Sequence, residues 1–150
     1  MRHATVPALI LAAALSLPAA SAWSEEFATY TATEDFASAT FAVEQAILSR
    51  GLVIDSVSHV GDMLERTRAD VGSTTQLYSG AQAFLFCSST VSRAVMEADP
   101  QNIRHCPYAI HVYAMPDMPG QVTISHRAYS GTMAPVQDLL SGIVIDAIGN

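Results

Sequence analysis

The side chains with the most chemistry to offer are Cys87 and Cys106, the two cysteines of the chain, with His105 beside the second and Met96 between them. Two thiols 19 residues apart can close a disulfide, hold a soft metal or work as a redox pair. The amino terminus reads as an export signal, and an even cysteine count in an oxidising compartment favours the disulfide. Closing a loop of that length restricts the unfolded chain and adds about 3 kcal/mol of stability. In the alternative reading the sulfurs stay reduced, and Cys87, Cys106, His105 and Met96 supply thiolate, imidazole and thioether ligands to a soft ion such as Cu(I). Zinc spacing is absent, because there is no C-x-x-C and no second Cys or His one turn away. Cys106-Pro107 is also the kind of pair found where haem is bound through a thiolate. The disulfide reading requires no cofactor; a soft metal or haem belongs to the alternative alone.

Other chemistry finds little footing. A nucleophilic enzyme needs a Ser or Cys, a base and an orienting acid. Cys106, a histidine and Asp99 are the available set, but no G-x-S-x-G turn supports them. Glu25-Glu26 and Glu34-Asp35 read as solvated charge or first-turn helix acids rather than an acid/base pair. No glycine-rich phosphate loop is present. Arg93 and Arg104 would lower a thiol pKa if they approached it, but Glu97 and Asp99 offer them surface partners. Catalysis has no positive support, so no catalytic residue is assigned.

Residues 1–22 combine a basic start, Met1-Arg2-His3, with a short apolar run and an Ala20-Ser21-Ala22 cleavage site. This is the pattern of a signal peptide, and the run is too short for a membrane span. One domain is then expected over residues 23–150, long enough for a single core. Without Arg2 that stretch has six arginines, no lysine and fourteen acids, a net charge of −8. Such a surface repels phosphate backbones and anionic headgroups, so neither nucleic acid nor membrane is expected as a partner. Periplasmic or secreted localisation follows from the leader.

Alternation and helical spacing lay out the elements that must position these residues. A strand is expected over 24–33, then a helix from an Asp35 or Thr33 cap to Arg50. Its Phe36, Ala39, Val43, Ala46 and Ile47 share a face, and Gly51 ends it. A second strand over 52–60 leads to a short helix over 61–69 with Met63 and Leu64 inward, then a polar loop over 70–80. The third strand, 81–87, ends in Cys87. A helix capped by Ser88 or Ser89 follows, with Val91, Val95 and Ala98 inward and Pro100 as its stop. Strands over 108–114 and 121–127 flank the turn MPDMPG. Pairing Val112 with Val122, Ile110 with Ile124 and Tyr108 with His126 puts His126 inward and leaves His111 outward beside Thr123. His126 so placed reads as a hydrogen-bonded core residue, and His59 as a polar strand edge. A last helix starts near Pro135 with Thr132 as its cap and buries Val136, Leu139, Leu140, Ile143 and Ala147. The sum is an α+β domain, a mainly antiparallel sheet with helices on one face.

Several of these pieces recur together in one family. They are Ser49-Arg50-Gly51-Leu52, the strand end Phe86-Cys87, Met96-Glu97-Ala98-Asp99-Pro100, and Cys106-Pro107-Tyr108-Ala109-Ile110-His111-Val112-Tyr113. In order and spacing they resemble the domain of unknown function 302 family over residues 36–127. The resemblance implies a compact α+β domain similar to one repeat of the TATA-binding-protein fold, and a homodimer. It brings no established activity, and Cys87 and Cys106 are the positions it carries over. Likeness to a DNA-binding sheet does not make DNA a partner here, because the charge has the wrong sign. The expected role is a non-catalytic exported domain that binds a small ligand or a protein partner.

Overall fold

The computed structural model describes residues 26–149; the expected signal peptide over residues 1–22 lies outside them. Five antiparallel strands form one sheet in the order β1-β5-β4-β3-β2. They are β1 (Phe27–Ala32), β2 (Val53–Ser58), β3 (Gly80–Cys87), β4 (Tyr108–Ala114) and β5 (Val122–Arg127). The helices are α1 (Phe36–Ser49), α2 (Val60–Thr67), α3 (Ser89–Ala98) and α4 (Ala134–Ile148), with 3-10 turns at Pro100–His105 and Gly131–Met133.

Local chemistry explains where the helices begin and end. Asp35 caps α1, accepting from the Ser38 amide at 3.0 Å and its hydroxyl at 2.7 Å. The Ser38 hydroxyl, then its amide, hold the Asp35 carboxyl below the usual carboxylate range. Gly51 stops the helix at φ 71°, a conformation open to glycine at little cost. Ser88 caps α3 through the Val91 amide. Asp99 ends α3 and caps the next 3-10 turn, accepting from Gln101 N at 2.9 Å.

One sheet face is covered by α1, α3 and α4, and the core lies between. Val43 and Ile47 of α1, Leu140 and Ile143 of α4, and Phe86, Ile110 and Val112 of the sheet are each 0% exposed. Alternation along β4 and β5 sends Ile110, Val112, Ile124 and His126 into this layer. It turns His111, Tyr113 and Ser125 to the opposite face. At Gly80 the sheet and α1 approach so closely that a Cβ there would stand 2.5 Å from the Phe36 ring.

Four expectations are corrected. The β4–β5 register is slipped by two residues: Val112 faces Ile124, Ile110 faces His126, and His111 lies beside Ser125 rather than Thr123. Side-chain facing repeats every two residues, so a two-residue slip keeps every apolar residue on its own side, and hydrophobic pattern alone cannot see it. Two successive turns, Met118 N to Met115 O and Gln121 N to Met118 O, take up the extra length. Met63 is exposed rather than inward, because α2 packs on β3 through the close approach of Gly61 to Ala81 and buries no residue fully. Ala98 is exposed, and Ser92 takes the inward place, bonding the Tyr108 hydroxyl at 3.0 Å. Thr132 does not cap α4, since a 3-10 turn leads directly into the helix; its hydroxyl accepts from Asn102 Nδ2 at 3.2 Å.

Candidate functional site

The two sulfurs are bonded, as a Cys87–Cys106 disulfide with a Cα–Cα distance of 6.4 Å. It ties the end of β3 to a position two residues before β4. Everything between them, α3 and the Pro100–His105 turn, becomes a closed loop. Three further bonds pin that loop: Ser92 to Tyr108, and Asn102 Nδ2 to the Val95 carbonyl at 2.8 Å and to the Thr132 hydroxyl. Such a disulfide fits an extracellular or periplasmic location.

Bonded sulfurs offer no thiolate, so a metal or haem site on Cys87, Cys106 and His105 requires reduction first. Met96 packs against the hydrophobic core rather than lying free on α3. Among the described residues, no three His, Cys, Asp or Glu side chains are grouped to hold a metal. Arg93 pairs with Glu97 at 3.0 Å, one turn along α3. His59 is exposed and contacts Gln82 Nε2 at 3.1 Å.

Beside the disulfide, the sheet end, the Pro100–His105 turn and the start of α4 enclose a cleft of about 1100 Å³. Arg104, His105, Arg127 and Tyr129 form its inner wall, and Asn102 and Gln137 also line it. The same four wall residues back onto a smaller groove of about 300 Å³ on the open sheet face, where Phe27, Ala109 and His111 join them. His105 and Tyr129 meet edge to face at 5.4 Å, and Phe27 and His111 at 6.4 Å. Arg104 Nε donates to His105 Nε2 at 3.4 Å. Of these residues the sequence reading singled out His105 and Arg104. Asn102 shares the turn of Arg104 and His105, whereas Arg127 with Tyr129, and Gln137, come from two other segments with no common spacing. The scarcity of cations in this acidic chain is the one signal that could have marked Arg127.

From the cleft a hydrogen-bond chain runs into the core. Tyr129 N donates to Gln137 Oε1 at 2.8 Å, and Gln137 Nε2 donates to Ser141 Oγ at 2.8 Å. Tyr30 also donates to Ser141 Oγ at 3.1 Å, which fills both its lone pairs. The Ser141 proton then points to His126 Nε2 at 3.5 Å, while His126 Nδ1–H donates to the Arg127 carbonyl at 2.8 Å. Only a neutral imidazole completes this chain, since protonated Nε2 would be a donor facing a donor. His126 is 0% exposed, as the expectation of a bonded core histidine required.

Burial pushes the His126 imidazole below its ordinary pKa of 6.5, and it does the same to His111. Among the described residues, His111 Nδ1 is the buried side-chain polar atom left without a partner. Below pH 6.5 the unfolded chain binds protons that these folded imidazoles refuse. Their stability contribution is therefore complete above that pH and is lost as pH falls toward the lower folded values. The slope is up to about 1.4 kcal/mol per pH unit for each group. Urea midpoints should drop between pH 7.5 and 5.5, and a flat profile would show that both imidazoles protonate freely in the fold.

A single five-stranded antiparallel sheet with helices over one face, stapled by one disulfide, defines the class: an α+β domain. In fold the chain resembles the crystal structure of uncharacterized conserved protein DUF302 from Bacillus stearothermophilus, with a TM-score of 0.66. The match covers 81% of this chain and 97% of that one at 11% identity, so it is the architecture that is shared. No family model matches the sequence, and no curated protein matches it. Among the described residues, no helix is long and apolar enough to cross a membrane.

Proposed function

We propose that this is an exported, non-catalytic domain that holds a small ligand in the cleft at its disulfide end. The observation that carries the reading is the cleft itself, about 1100 Å³ with a wall of two arginines, a histidine and a tyrosine. A concave site with a few convergent polar groups is the ordinary form of a small-molecule pocket. The Cys87–Cys106 bond holds the Pro100–His105 wall in place without ligand, which lowers the ordering cost of binding. Net charge argues against nucleic acid and anionic membranes as alternatives.

Native mass spectrometry of the protein recovered from the export compartment tests this. The expected species starts at Trp23, has lost two hydrogens to the disulfide and carries a noncovalent small-molecule adduct. Two free thiols with a bound metal or haem would instead establish the thiol site. The same spectrum counts subunits and so tests the homodimer that the family resemblance implies.

A further inference from the structure

The sheet face opposite α1, α3 and α4 holds a depression of about 500 Å³, which shares no lining residue with the cleft at the disulfide end. Its floor is a cross-strand row: Thr29 of β1, Ser125 of β5 and His111 of β4, set side by side by the strand register. Aromatic rings stand at both ends. Phe27 meets the His111 imidazole edge to face at 6.4 Å, and Tyr78 meets Tyr113 in the same way at 5.9 Å. The lining is mainly apolar, and among the described residues neither a carboxylate nor an arginine contributes to it, in a chain with fourteen acids. Such a surface disfavours a charged ligand, which would shed its water and find no opposite charge. The volume lies within the range of ligand pockets, roughly 300 to 1,000 Å³.

One polar group on the floor is left over. Among the described residues, His111 Nδ1 is the buried side-chain polar atom with no hydrogen-bond partner. Burial lowers the pKa of this imidazole below 6.5, so at neutral pH the ring is uncharged, one nitrogen donating and the other accepting. A hydroxyl can answer either nitrogen, because it both donates and accepts. A half-turn of the ring about its Cβ–Cγ bond exchanges Nδ1 with Cδ2, so the nitrogen can change sides while the backbone stays in place.

We propose that this pocket binds a small neutral aromatic molecule carrying a hydroxyl group, its ring between Phe27 and the Tyr78–Tyr113 pair and its hydroxyl on the His111 imidazole. The flanking rings give a planar body edge and stacking contacts. The site is independent of the cleft at the disulfide end, and each can fail without the other.

Amide-shift titration of the oxidised chain at neutral pH tests this with p-cresol, toluene, benzoate and benzylammonium, four probes of similar size. p-Cresol should shift the amides of Thr29, His111, Tyr113 and Ser125 saturably. It should bind about fivefold more tightly than toluene, the worth of one neutral hydrogen bond, and at least about tenfold more tightly than either ion. His111→Phe should keep toluene binding and lose the preference for p-cresol. Should that variant fail to fold, the ring-nitrogen signals of His111 in the unaltered chain decide: a shift with p-cresol that toluene does not produce supports the bond, and its absence overturns it. Equal binding by toluene overturns the role of the hydroxyl, and equal binding by benzoate or benzylammonium overturns the neutral ligand. Shifts confined to Asn102, Thr132 and Gln137 would put the probe in the cleft and overturn this site, as would no saturable shift at all.

Discussion

Replacing Cys87 and Cys106 together by serine should cost this domain about 3 kcal/mol, the loop-closure value for a 19-residue separation. On a domain of this size that is a fall in Tm on the order of 10 °C. The effect is expected to be uneven across the molecule. Strands β3 and β4 are paired over seven residue positions with or without the bond, and the Phe84, Phe86 and Ile110 side chains remain buried between sheet and helices. The Pro100–His105 turn has less to hold it: the bonds from Asn102 to Val95 and Thr132, the Asp99 cap on Gln101 N, the edge contact of His105 with Tyr129, and the turn's own amide bonds at Asn102 and Cys106. Hydrogen exchange should therefore speed up first at residues 100–106, with central strand amides following only in global opening. A double-serine protein with the wild-type midpoint and unchanged exchange at the turn would mean that the disulfide does not shape the cleft.

Phe86→Ala should be larger still, about 3–5 kcal/mol by urea unfolding. The ring is 0% exposed in the centre of the core, and the surrounding sheet and helices cannot collapse onto the space it leaves. Phe41→Ala is the matched control. That ring is 62% exposed on α1, and its removal should stay within about 0.5 kcal/mol. Phe41 shares its surface with Ile145, which is also exposed. A Phe41 cost approaching that of Phe86 would show this surface to be buried against a second copy in solution, and the cost would then depend on protein concentration.

Helix α1 was the most legible element, because every signal for it is local. The Asp35 cap, the stripe from Ala39 to Ile47 and the Gly51 stop all act within a turn of the residues they affect. The disulfide was legible for another reason: with two cysteines there is a single possible pairing within the chain. Strand identity and the inward turn of His126 followed from alternation, which the fold must respect to bury its apolar side.

Tertiary structure decided what alternation leaves free. The β4–β5 pairing was set by how residues 115–121 turn, and that choice gave Ile110, not Tyr108, as the partner of His126. Tyr108 instead reaches Ser92 on α3, a contact across the core that no spacing announces. Ser141 becomes the hub of a buried network only because α4 lies across β1 and β5, bringing Tyr30 and His126 to one oxygen. The cleft has the same origin. Hydrophobic periodicity is a one-dimensional signal that says which side of each element is dry. A polar site is assembled where the ends of several elements meet, and that meeting exists only once the chain has packed.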